Sequence, residues 1–216
     1  MPGSRVTHRM AAAELAGRDR VLAGLVASAG PPRLGARDES HFAALVRSVV
    51  YQQLAGAAAA AIHGRLADAL DGEVSPGALH ALPDEALRGA GLSASKALAL
   101  RDLAGKVLDG SVELAPRRLA RETDEEIVAR LSTVRGIGPW TAQMFLMFQL
   151  RRLDVWPAGD LGVRRGYGLA WNVGMPAERE LLPLGDAFRP YRSVAAWYCW
   201  RACELLAGAS DSALTR

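Results

Sequence analysis

Lysine, cysteine and aromatic residues are all scarce in this chain of 216 residues, and each shortage excludes something. Lysine occurs only at 96 and 106, so nearly all of the 26 basic residues are arginine. The only two cysteines, 199 and 203, stand four apart in a helical stretch. That excludes a disulfide scaffold and a four-cysteine iron–sulfur centre, and it fits a reducing compartment. The four histidines (8, 41, 63 and 80) have no metal-ligand spacing. No basic N-terminus leads into an apolar run, so no secretory signal is expected. No apolar stretch reaches the roughly 18 residues of a membrane span. Aromatics make up only 6 %, yet all five tryptophans lie at or after residue 140. Large flat side chains are therefore concentrated in the second half.

What is present describes a globular helical protein. Half of the residues are hydrophobic, enough for one large or two small packed units. The formal charge is only +3 and the pI is near 9.2. An arginine-rich, mildly basic chain leans toward phosphate, because the planar guanidinium fork binds two oxygens at once. Strand alternation is missing, and helical periodicity recurs throughout. A first helix is expected over 8–28, ending at the breaker Gly30-Pro31-Pro32. Ser40 is placed to cap a helix whose buried stripe is Phe42, Leu45, Val46 and Val49, with Gln53 on the same stripe. After Gly56 an alanine-rich segment runs to about Leu70, its small side chains suited to close packing. Short helices are expected near 76–81 and 83–90, with Pro83 in the first position. A longer helix runs from Ser93 or Ser95 to Leu108. Thr123 and Glu126 form a capping box. Trp140, Met144, Met147 and Phe148 share one helical face, and a last long helix spans about 190 to 206.

The segment Leu131-Ser132-Thr133-Val134-Arg135-Gly136-Ile137-Gly138-Pro139-Trp140-Thr141-Ala142 carries the chemistry. Two glycines allow a tight turn between helices, and Pro139 opens the second helix. Unpaired N–H groups and the helix dipole at that start make an anion site suited to DNA phosphate. The expected phosphate contacts are Gly136, Gly138, Thr141 and Arg135; they position a protein on DNA without reading sequence. Taken alone, a Gly-x-Gly turn reads better as a plain connection between two core helices.

With its flanks, this hairpin resembles that of the helix-hairpin-helix DNA glycosylases, in particular the 3-methyladenine DNA glycosylase II branch, over about residues 40–204. Trp156-Pro157-Ala158-Gly159-Asp160 looks like the family's catalytic loop, with Asp160 twenty-two residues after Gly138. Phe188-Arg189-Pro190-Tyr191-Arg192-Ser193, leading to Trp197-Tyr198-Cys199-Trp200, is similar to the branch's C-terminal helix. Val50-Tyr51-Gln52-Gln53-Leu54 looks like its wedge segment. The resemblance implies an all-α, two-lobed fold, with one lobe over 40–150, the other combining 1–39 with 151–216, and the site in the cleft between them. Too few residues precede Phe42 for the mixed α/β domain of the bacterial enzyme, so the resemblance is to a compact form. Bifunctional members carry a lysine where this chain has Trp140, which implies a glycosylase without lyase activity.

The implied partner is damaged double-stranded DNA, bound by a monomer with no membrane role. The implied location is the cytoplasm if the source is bacterial and the nucleus if eukaryotic. Breaking an N-glycosidic bond passes through an oxocarbenium-like sugar, which a carboxylate at Asp160 can stabilise. A loop aspartate before a helix is otherwise an N-cap, and Asp160 fits both roles. The lesion must leave the stack, and Leu54 and Gln53 are the wedge candidates; Leu54 reads equally as core. An electron-poor alkylated base suits an aromatic pocket. Trp140, Trp200 and Tyr51 are its candidates, with Met144 where the branch has an aromatic; Trp197 reads better as core. Arg164, Arg165 and Arg192 are further basic residues near these motifs. The family's hairpin carbonyls, here Ser132, Val134 and Ile137, imply a structural Na+ or K+, and no catalytic cofactor is expected. The rivals are a helix-hairpin-helix protein that only binds DNA, a glycosylase for oxidised or deaminated bases, and a helical interaction module.

Overall fold

The structure is a computed structural model that describes residues 6–35 and 38–213. Among the described residues there is helix and no strand. The helices are α1 (His8–Arg18), α2 (Arg20–Ala29), α3 (His41–Tyr51), α4 (Gly56–Ala69), α5 (Pro76–Ala81), α6 (Asp84–Gly89), α7 (Ala94–Leu108), α8 (Pro116–Leu119), α9 (Asp124–Leu131), α10 (Pro139–Met144), α11 (Leu161–Ala170), α12 (Glu178–Leu184) and α13 (Arg192–Ala213). A π turn, Phe145–Gln149, continues α10, and a 3-10 turn, Gly185–Phe188, follows α12. The chain divides into two compact units, Ala36–Gln149 and the combination of Met1–Gly35 with Leu150–Arg216. Among the described residues no helix is long and apolar enough to cross a membrane.

In the 36–149 unit, local chemistry sets most helix starts. Ser40, Ser75 and Ser93 each accept a backbone N–H three residues on, and Thr123 with Glu126 closes a capping box. The stripe Phe42, Leu45, Val46 and Val49 is buried, and α3 packs on α4, α7 and the π turn. Three expectations fail here. Helix α3 stops at Tyr51, and Gln53 stands off it at φ 57, a left-handed conformation. The alanines of α4 are mostly at the surface, with only Ala59 buried among them. Met147 leaves the face of Trp140 and Met144 for the core, because the π turn shifts the register by about one residue.

In the unit that joins both ends of the chain, α13 packs on α11, α2, α1 and the 3-10 turn. The single helix expected over 8–28 is broken at Asp19, whose extended backbone ends α1. Its carboxylate accepts the Val21 and Leu22 N–H groups at 2.8 and 2.9 Å, and the Trp171 indole N–H at 3.2 Å. A side chain that caps the second helix this well outweighs the continuous periodicity around it. Helices α8 and α12 have no counterpart in the sequence reading, being too short to show a period.

Tyr198 is fully buried, and its hydroxyl donates to the Gly30 carbonyl at 2.9 Å. Burial pushes its pKa up to about 12 from the ordinary 10.0. The unfolded chain therefore releases this proton at lower pH than the folded one. Its contribution to stability is complete below pH 10.0 and is lost as pH rises toward 12. Tyr198→Phe is expected to cost about 1 kcal/mol at neutral pH and to flatten part of the alkaline fall. Thermal melts of both forms across that range would check it.

Candidate active site

The loop before Asp160 is tied down by the start of α13. Arg192 meets the Asp154 carboxylate at 2.9 Å and its carbonyl at 2.7 Å. Ser193 Oγ accepts the Val155 N–H at 3.0 Å and donates to the Arg152 carbonyl at 2.7 Å. The Trp156 indole donates to the Leu181 carbonyl at 3.0 Å and packs on Phe188. Arg192, one of the basic residues near the motifs, is thus committed to Asp154 and mostly buried. Arg164 likewise donates to the Pro176 carbonyl at 2.8 Å.

Asp160 ends this loop as the N-cap of α11. Its Oδ1 accepts two hydrogen bonds, from the Val163 N–H and from the Trp200 indole N–H, each 2.8 Å long. Two donors on one oxygen fix the plane of the carboxylate. Gly162 lets the indole come so close, because a Cβ there would stand 2.7 Å from Trp200 Cδ1. Behind them Cys199 is fully buried, and burial pushes its thiol pKa well up. The Cys203 thiol donates to the Gly162 carbonyl at 3.3 Å. These cysteines pack and brace the site. Trp197 lies edge-on to Tyr198 and beneath the Arg201 guanidinium.

The 36–149 unit holds a cavity of about 580 Å³, whose lining includes Tyr51, Gln53, Trp140, Met144 and Phe148. Trp140 keeps 48 % of its surface exposed, whereas a core tryptophan would hide nearly all of it. Of the four residues grouped as a base pocket from sequence, Tyr51, Trp140 and Met144 line this cavity. Trp200 belongs to the other unit, as the partner of Asp160. Arg47 also lines the cavity, paired with Glu39 at 2.6 Å. Nothing in the hydrophobic pattern marked it.

Leu54 is exposed beside the left-handed Gln53, which does not fit the core reading. In the hairpin, Gly136 has φ 76, and a Cβ there would stand 3.0 Å from the Ala99 methyl. Only glycine meets both conditions without strain. The Thr141 side chain faces inward, its Oγ1 accepting from Gln52 Nε2 at 3.1 Å. The Arg135 side chain is exposed, but its N–H donates to Asp102 at 2.7 Å. Sequence reasoning missed Asp102, Lys96 and Lys106, all on α7. Burial raises the Asp102 pKa, but the Arg135 N–H and Lys106 together hold it below the ordinary value. The one available signal was that the only two lysines share that helix.

Helices without strands among the described residues, an aspartate capping a helix after a Gly-x-Gly hairpin, and an exposed tryptophan opening the hairpin's second helix define a helix-hairpin-helix protein. Residues 46–181 match the HhH-GPD superfamily base excision DNA repair protein family, and the chain belongs to that superfamily. It is 34 % identical over 164 residues to DNA-3-methyladenine glycosylase 1 of Schizosaccharomyces pombe, covering 74 % of this chain and 72 % of that one. A crystal structure of a Bacillus halodurans DNA-3-methyladenine glycosidase superposes with a TM-score of 0.81 at 35 % identity, covering 90 % and 89 % of the two chains. The S. pombe 3-methyladenine DNA glycosylase in complex with abasic DNA gives 0.78 at 32 % identity, covering 90 % and 96 %.

Proposed function

We propose that this protein is a monofunctional DNA glycosylase that flips alkylated bases such as 3-methyladenine out of duplex DNA and hydrolyses their N-glycosidic bond, with Asp160 as the catalytic carboxylate. The observation that carries this reading is the double anchoring of Asp160 Oδ1 by Val163 and Trp200. As the bond to the base lengthens, positive charge grows on the sugar. A carboxylate already held in one orientation stabilises that charge without reorganising. An alkylated purine is electron-poor and leaves with little help from an acid, so an aromatic wall is a sufficient selector. Stacking and cation–π attraction on Trp140 and Tyr51 supply roughly 0.5–2 kcal/mol per contact. Leu54 and Gln53 fill the gap left in the duplex, and the hairpin at Gly136 and Gly138, with the Arg135 side chain, takes the phosphate backbone. The relatives' names and the superfamily support DNA as the partner and excision of an alkylated base as the reaction. The protein acts as a monomer where genomic DNA is kept.

A Na+ or K+ ion fits the hairpin carbonyls of Ser132, Val134 and Ile137. The Val134 carbonyl accepts only the Ile137 N–H among the described backbone pairs, and the buried Ser132 hydroxyl has no partner there. The ion would draw in a phosphate and stiffen the turn.

The lysines support a reading without lyase chemistry. A lysine Schiff base needs a side-chain amine at the sugar, and both lysine ammonium groups donate to backbone carbonyls in the 36–149 unit. The test is to incubate the protein with duplex DNA treated with a methylating agent and measure free bases, with and without borohydride. Methylated purines are expected in solution, with an intact abasic strand and no trapped adduct. A covalent adduct would overturn the monofunctional reading. DNA binding without release of any methylated base would overturn the substrate class.

A further inference from the structure

Helix α7 touches both loops assigned above to DNA. Lys96 donates to the Val50 and Gln52 carbonyls at 2.7 and 2.8 Å, at the frayed end of α3. Ala99, one turn on, is the residue against which Gly136 packs. Asp102 accepts the Arg135 N–H at 2.7 Å and Lys106 at 2.9 Å, and Lys106 also donates to the Thr133 carbonyl. Residues 96, 99, 102 and 106 recur at helical spacing along one side of α7. Gln52 closes the circuit, its Nε2 donating to the Gly136 carbonyl at 2.9 Å and to Thr141 Oγ1 at 3.1 Å.

We infer that α7 is a template that holds the 52–54 loop and the 134–138 hairpin at a fixed spacing before DNA arrives, and that Lys96 and Gln52 are positioning residues for base extrusion. The inference rests on the glycosylase reading. Gln53 is held at φ 57, which side chains other than glycine rarely adopt, so the loop needs an outside restraint to present its wedge. Lys96 grips the carbonyl of the peptide immediately before Gln53. A wedge ordered in advance loses little freedom when it enters the stack, and the extruded state is favoured accordingly. An ordinary helix cap would give stability and nothing more.

The two roles separate by substrate context. Extrusion is costly from an intact pair and cheap when the lesion faces an abasic site. Single-turnover release of 7-methylguanine would be measured in both contexts for Lys96→Met, Gln52→Ala and Lys96→Arg, with melting temperatures alongside. Lys96→Met and Gln52→Ala are expected to slow release from the paired duplex on the order of ten-fold, to act far less on the abasic-opposed lesion, and to leave affinity for undamaged duplex unchanged. Lys96→Arg, which keeps donors for both carbonyls, is expected to recover most of the rate. Equal slowing in both contexts would reduce Lys96 to a helix cap and overturn the inference, as would unchanged rates. Should the wild type release no base, the substrate reading fails. Fluorescence of 2-aminopurine beside the lesion then tests the template, and equal signals from wild type and variants overturn it.

Discussion

Asp160→Asn is expected to abolish base release while leaving duplex binding and folding close to wild type. The substitution isolates charge from structure. Asparagine caps helices about as well as aspartate, so its carbonyl oxygen can still accept the Val163 N–H and the Trp200 indole N–H. What disappears is the negative charge, and that charge matters most when the sugar is cationic. A unit charge pair about 4 Å apart is worth roughly 4 kcal/mol at an effective dielectric near 20. Lost at the transition state, that is about a thousand-fold in rate. Asp160→Ala is expected to be as inactive and also less stable by about 1 kcal/mol, because the cap goes with the charge. Single-turnover release, duplex affinity and melting temperature separate these cases. Normal turnover by Asp160→Asn would leave Asp160 as a cap only.

The helical class was legible because its signals are local. Ser40, Ser93 and the Thr123–Glu126 box cap the helices their positions suggest, and the stripe from Phe42 to Val49 is buried as its spacing requires. Expectations failed where one side chain or a register shift overrode a period. Asp19 splits a continuous pattern by capping the second half, and the π turn moves Met147 away from Trp140. For the candidate site, motif order pointed to Asp160 and to Trp140. The pairing of Trp200 with Asp160 is a contact across forty residues that no spacing encodes. The same is true of Arg47 with Glu39 and of the lysines on α7, whose partners are backbone carbonyls that look alike in any sequence.

Gly166→Ala is expected to cause a larger loss of stability than alanine at any other described glycine. A Cβ at Gly166 would stand 1.8 Å from the Cys199 carbonyl oxygen, 2.4 Å from its carbon and 2.9 Å from its Cα. The obstacle is the backbone of α13, so no rotamer change relieves it. Helices α11 and α13 must part or the unit must unfold, at or beyond the upper end of the roughly 1–3 kcal/mol usual for an overpacked core. The consequence reaches the candidate chemistry, because Asp160 caps α11 and its indole partner rides on α13. Gly162 and Gly166, one turn apart on one face of α11, together set how near the two helices come. Gly24→Ala is the matched control. It lies inside α2 with nothing within 4 Å of a new Cβ, and it should gain about 0.5–1 kcal/mol from helix propensity. Side-by-side thermal melts should therefore move in opposite directions. Any Gly166→Ala protein that does fold should lose base release more than DNA affinity, since separating the helices draws the indole from the carboxylate. A wild-type melting temperature for Gly166→Ala would mean that α11 and α13 are not in backbone contact, and the anchoring of Asp160 by Trp200 would lose its structural basis.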